Sequence, residues 1–253
     1  MNRYNQPVRQ FPMTVTVKWI IIVTVAFWLA FQLVGENLFG WPVTRIFALW
    51  PGQVILDFKV WQVFTYMILH TTSVTHILFN MLTLWMVGSE LEARWGQRFF
   101  LFYYLSSGVG AALFYCLGVA VYATMTGNQR ALEIPVVGAS GAIFGLLVAY
   151  GILFGERTMS FMMLFPMKAK VFVMILAGVE VVTLLGSGVS GGEVANLAHI
   201  GGLASGYLTL VIYSRFQRFQ WGRKAGKKTR NLRLVVDNEN HETKPDKGPK
   251  YWN

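Results

Sequence analysis

Six long apolar runs constrain this chain more than any other feature of its sequence. They cover about residues 15–34, 73–89, 99–122, 140–155, 169–186 and 196–214. Crossing the roughly 30 Å hydrocarbon core of a bilayer takes roughly 17–25 apolar residues of helix. Backbone inside lipid must satisfy its own hydrogen bonds, so such runs fold as helices. Composition agrees: 54% of the 253 residues are hydrophobic and only 13% are charged, about half the charge of an ordinary soluble domain. Nine Trp and an aromatic share of 15% suit the lipid–water boundary. The fourth run, Ser140–Phe154, is short, as expected of a helix that begins below the surface at an aqueous cavity. The expectation is an all-α membrane protein with six transmembrane helices.

The first run exceeds the core of a cleaved signal peptide and lacks its small-x-small site, so it reads as a retained helix. Residues 35–70 form a long connection rich in Trp, Phe, Gly and Pro. They are too broken for a spanning helix and suit a segment lying in the interface. Lys and Arg fall on alternate connections. Nineteen group with the two ends of the chain, and only Arg45, Lys59 and Arg130 fall on the other side. The positive-inside rule then puts both termini in the cytoplasm. The domain reading is a cytoplasmic segment 1–14, a membrane domain 15–215 and a basic cytoplasmic tail 216–253. The net charge of +10 comes largely from that tail. It lacks the interleaved aromatics of a nucleic-acid binder and fits a solvated segment near anionic lipid, so no nucleic-acid partner is expected. Cys116 is the single cysteine, so no intrachain disulfide forms, and no Cys/His cluster or His-Glu-x-x-His motif calls for a metal or other cofactor.

Polar side chains inside a bilayer are costly and need a partner or a task. Ser140 opens the fourth run, within Gly138-Ala139-Ser140-Gly141, and His199 opens the last. His76 and Asn80 open the second, four residues apart and so on one helix face. With six crossings, all three even helices start at the outer surface and carry these groups at one depth. Gly141 and Gly145 in the fourth run, and Gly202 and Gly206 in the sixth, are Gly-x-x-x-Gly pairs that let helices approach closely. His199 lies on the same stripe as Gly202 and Gly206, so close packing of these two helices would bring it to Ser140. A serine hydroxyl becomes a useful nucleophile when a base takes its proton, and histidine does this. His76, Asn80 and the Ser140 backbone N–H are candidate donors to an oxyanion. No Asp or Glu stands where it would orient His199, which suggests a dyad. Glu180, deep in the fifth run, hints at an ion path but more simply bonds to a neighbouring helix. Glu92 and Arg94, at the end of the second run, are expected to fix the loop that follows.

Four pieces resemble the rhomboid intramembrane serine proteases of the bacterial six-helix type. They are His76-Ile77-Leu78-Phe79-Asn80, Glu92-Ala93-Arg94-Trp95-Gly96, Gly138-Ala139-Ser140-Gly141 and Ala198-His199-Ile200-Gly201-Gly202. They occur in the family's order across about residues 60–210. The resemblance implies Ser140 as nucleophile, His199 as general base and acid, and His76 and Asn80 as oxyanion donors. It implies Phe144 as the ring under His199, with Gly138, Gly141 and Gly202 in support. Gly188–Gly192 would be a mobile cap, and the first connection a hairpin lying in the membrane. That hairpin often carries Trp-Arg; Trp61-Gln62 stands here, so altered anchoring is expected. The implied function is cleavage of single-span membrane proteins within the bilayer, here the bacterial cytoplasmic membrane. Two other classes stay open: a silent relative that binds membrane clients, and a small transporter.

Overall fold

The computed structural model describes residues 12–161, 165–187 and 194–227. The expected cap at Gly188–Gly192 and residues 228–253 of the tail lie outside them. By contacts the chain divides into two units, residues 1–214 and 215–253. Every site residue named above belongs to the first.

The first run forms α1 (Val15–Phe27) and continues as a π-helical stretch over Trp28–Glu36. A single turn, α2 (Asn37–Phe39), ends it at Gly40 in the left-handed region. The connection beyond carries only α3 (Val43–Phe47), α4 (Pro51–Ile55) and α5 (Gln62–Thr65). The second run is α6 (Val74–Thr83), a π-turn at Leu84–Gly88 and α7 (Ser89–Trp95). After Gly96 comes α8 (Gln97–Thr126), then α9 (Ser140–Leu153). A two-stranded antiparallel hairpin follows, β1 (Thr158–Phe161) with β2 (Phe165–Lys168). The last two runs are α10 (Ala169–Ser187) and α11 (Val194–Lys227).

The chain is an integral, multi-pass, helical membrane protein, but it does not form six transmembrane helices. Among the described residues, four helices are long and apolar enough to cross: Val15–Phe39, Gln97–Thr126, Ala169–Gly186 and Ala195–Arg218. The second run fails on composition: His76 and Asn80 in α6, then Ser89, Glu90 and Glu92 in α7, interrupt it with polar side chains. The fourth fails on length: its 14 residues reach about 21 Å, well short of the bilayer core. The hairpin between the fourth and fifth runs was not expected either.

Packing explains why a short helix is the centre of the molecule. Gly141–Leu147, Ala149 and Tyr150 are all buried, so the first two turns of α9 are enclosed on every side and only its far end reaches the surface, at Ile152. α8 lays a stripe against it through Tyr103, Tyr104, Ser107, Gly108, Ala111, Ala112 and Tyr115, at the three- and four-residue spacing of one helix face. The core around them is shared by Tyr66, Ile77, Leu84, Leu91, Leu197 and Ala198. Ser140 therefore sits at the tip of the best-fixed helix in the fold.

Long-range polar contacts tie the rest to this core. The α1 N-terminus has no side-chain cap of its own. Buried Glu92 serves instead, accepting from Thr14 Oγ1 (2.5 Å), Thr16 N (2.9 Å) and Val17 N (3.0 Å). A carboxylate there satisfies donors that no helical carbonyl reaches and faces the positive end of the helix dipole. Burial pushes the Glu92 carboxyl up, but these hydrogen bonds outweigh it and hold it below the usual carboxylate range.

Gln62 is wholly buried rather than an interfacial anchor. It donates to Gln53 Oε1 (2.8 Å) and the Ile46 carbonyl (3.3 Å), and accepts from Trp50 N (3.1 Å). The residue that departs from the family's Trp-Arg pair thus holds the first connection together from inside.

Candidate active site

The site is built from the loop at residues 66–73 outward. Gln32, buried in the first span, closes a double hydrogen bond with the His70 backbone: its amide donates to His70 O (2.6 Å) and accepts from His70 N (2.9 Å). Trp28 Nε1 donates to Thr71 O (2.9 Å). Thus fixed, the loop reaches both halves of the site. Tyr66 O accepts from Gly138 N (2.9 Å), and Thr71 Oγ1 lies 3.0 Å from His76 Nδ1.

Gly138 has φ of 126°, a conformation that disfavours any side chain. A Cβ there would also lie 3.1 Å from His76 Nε2 and 3.6 Å from Ser140 Oγ. The missing side chain keeps open the space between those two groups. Ser140 then opens α9, so its backbone N–H is among those without a helical acceptor.

His199 comes from α11, and glycine contact sets its distance. A Cβ on Gly202 would overlap the Gly141 carbonyl, and one on Gly206 would lie 2.6 Å from Gly145 Cα. The two Gly-x-x-x-Gly pairs therefore meet each other, backbone against backbone, as the spacing predicts. Tyr103 Oη donates to Gly145 O (2.9 Å) and fixes the same seam. Two turns of mutual contact leave His199 Nε2 2.8 Å from Ser140 Oγ. The Phe144 ring stacks on the imidazole, centroids 4.4 Å apart and planes 16° from parallel.

The remaining sequence-predicted residues divide. His76 is at the site, with Nε2 facing the gap beside Gly138 and Ser140. Asn80 is buried one turn on, but its amide donates to the His76 carbonyl at 2.8 Å, within its own helix. Among the described residues, Ser140 Oγ is hydrogen-bonded to His199 and not to Asn80. Among the described residues no cluster of His, Cys, Asp or Glu could hold a metal ion.

One residue at the site was expected from sequence only to bond to a neighbouring helix. Glu180 Oε1 on α10 lies 3.0 Å from His199 Nδ1, within ion-pair range but not aligned as a hydrogen bond. The signal was present: an ionisable side chain deep in an apolar run is a functional candidate by default.

Comparison with known proteins fits this geometry. A family model described as the Rhomboid domain matches residues 57–216, which include α5 to α10 and the site residues of α11. RHOMBOID-like protein 1 of Arabidopsis thaliana is 32% identical over 189 residues, 73% of this chain and 43% of that protein. Rhomboid protease GluP of Bacillus subtilis is 31% identical over 156 residues, 62% of this chain and 26% of its own length. Rhomboid protease GlpG of Salmonella choleraesuis is 32% identical over 97 residues, 35% of this chain and 33% of its own length. The chain thus spans less than half the length of each of these relatives. With the family model covering well over half of its residues, the chain belongs to the rhomboid family.

Proposed function

We propose that this chain is an intramembrane serine endopeptidase of a bacterial cytoplasmic membrane that cleaves the transmembrane segments of single-span proteins with a Ser140–His199 dyad. The observation that carries this reading is the 2.8 Å contact between Ser140 Oγ and His199 Nε2, at the tip of a largely buried helix whose Phe144 ring stacks on the imidazole. The relatives named rhomboid proteases, from Bacillus and Salmonella, support the reaction class and the bacterial setting.

In this mechanism His199 Nε2 takes the hydroxyl proton as Ser140 Oγ attacks the scissile carbonyl, and the imidazolium then protonates the leaving amine. Water attacks the acyl-enzyme by the same route and frees Ser140. The tetrahedral oxyanion needs donors fixed beforehand. The Ser140 backbone N–H and His76 Nε2 stand nearest to where it forms. Asn80 spends one amide hydrogen on His76 O and has a second to offer. Substrate helices must unwind locally to expose a peptide bond, so segments with Gly and other small residues are the expected substrates. No step calls on a cofactor.

The direct test is covalent labelling by a fluorophosphonate probe in detergent or liposomes. Wild type should label, and Ser140→Ala and His199→Ala should not. Absence of labelling in folded wild type would sink the dyad and favour a silent binder of membrane clients. Ion flux that survives Ser140→Ala would favour a transporter.

A further inference from the structure

Glu180 stands in the interior of the Ala169–Gly186 span. Its side chain is only 14% exposed. A carboxylate held at such depth needs a cation, a proton donor or a task. Oε1 faces His199 Nδ1 at 3.0 Å, while buried Oε2 has no hydrogen-bond partner among the described residues. The partner in reach is on a neighbouring helix, and it is the imidazole that meets Ser140.

That imidazole has two nitrogens with opposite duties. Nε2 meets Ser140 and must carry a lone pair to accept its proton, so the ring proton must sit on Nδ1. An acceptor beside Nδ1 selects this tautomer and steadies the imidazolium that forms on attack. Phe144 fixes the ring plane from below, which leaves rotation within that plane to be fixed. The Nδ1–Oε1 contact is within ion-pair range but not aligned as a hydrogen bond. Such bonds are often misaligned before substrate arrives.

We propose that Glu180 is a positioning residue for His199, holding the Nδ1–H tautomer of the Ser140–His199 dyad from a third helix. This rests on the serine-hydrolase reading above. Glu180 touches no substrate atom and acts only through the imidazole.

The experiment uses the full chain in liposomes with a cleavable single-span substrate, and compares wild type, Ser140→Ala, Glu180→Gln and Glu180→Asp. Gln keeps the volume but loses the charge, and its amide can face Nδ1 with a donor that favours the wrong tautomer. Glu180→Gln should lower kcat by about a hundredfold or more while KM moves by less than about threefold. Glu180→Asp, which keeps a carboxylate, should recover to within about tenfold of wild type. Both should keep the wild-type unfolding temperature. A Glu180→Gln kcat within about threefold of wild type would overturn the proposal. So would equal losses in both variants accompanied by a lower unfolding temperature, the mark of a packing role. If Glu180→Gln does not fold, Glu180→Asp decides alone: wild-type KM with a modest fall in kcat supports the proposal, and a rise in KM alone overturns it. Failure of wild type to cut in a Ser140-dependent way is a separate result, and it would remove the hydrolase reading together with this one.

Discussion

Replacing Gly202 by alanine puts a methyl group at the seam that sets the catalytic distance. Its carbon would overlap the Gly141 carbonyl oxygen and lie 2.9 Å from the carbonyl carbon, where about 3.5–4.0 Å is the comfortable separation. The obstacle is backbone in a stretch of helix buried from Gly141 to Leu147, so it cannot swing aside. α11 must therefore retreat by about 1 Å, at about 1–3 kcal/mol of stability for overpacking. Ser140 and His199 are now 2.8 Å apart, and a retreat of that size takes them beyond hydrogen-bond reach. A misplacement of this order lowers turnover by about a hundredfold. The assay is the initial rate of fluorophosphonate labelling on protein shown to be folded, with Gly186→Ala as control, because nothing among the described residues lies within 4 Å of a Cβ there. The control should label like wild type. A Gly202→Ala protein labelling within about threefold of wild type would refute the claim that this seam sets the dyad distance.

Three other substitutions test separate parts of the structure. Gln62→Leu leaves Trp50 N–H without its acceptor, while the Ile46 carbonyl keeps Trp61 Nε1 and Gln53 Oε1 keeps Lys59 Nζ, and should cost about 1–3 kcal/mol in unfolding experiments in detergent. Glu92→Gln should cost about 1–3 kcal/mol at neutral pH. Because the folded state holds the Glu92 carboxyl low, its contribution is complete above the ordinary carboxylate range and disappears as pH falls through the folded-state value. The variant should therefore show a smaller loss of stability on acidification than wild type. Phe144→Leu removes the stack on His199 and should slow labelling by about three- to tenfold with little change in unfolding temperature.

The apolar runs and the punctuation between them made most of the helices readable, because lipid leaves backbone no alternative. The pairing of α9 with α11 was also readable, since two Gly-x-x-x-Gly stripes have few other uses, and with it the meeting of Ser140 and His199. Run length misled the count of crossings. A window of apolar residues does not reveal that Leu84–Gly88 adopts a wider turn, or that Ser89, Glu90 and Glu92 are buried by partners elsewhere. Glu90, for example, meets Tyr150 and Arg157, more than fifty positions away. The β1–β2 hairpin escaped because Phe161-Met162-Met163-Leu164-Phe165 carries neither alternation nor a turn signature. Glu180 was expected to meet a neighbouring helix and does, but spacing along one chain does not reveal that the group it meets is His199. Asn80 shows the converse, a residue on the expected face whose amide bonds within its own helix.

The central claim is that this chain breaks peptide bonds inside a membrane with Ser140. The measurement that meets it most directly is cleavage, in liposomes, of a single-span substrate with a glycine-weakened transmembrane segment, with products identified by mass. Wild type should give two fragments joined at a bond within or at the edge of the apolar segment, and Ser140→Ala should give none. Intact substrate with wild type, or the same fragments with Ser140→Ala, would contradict it.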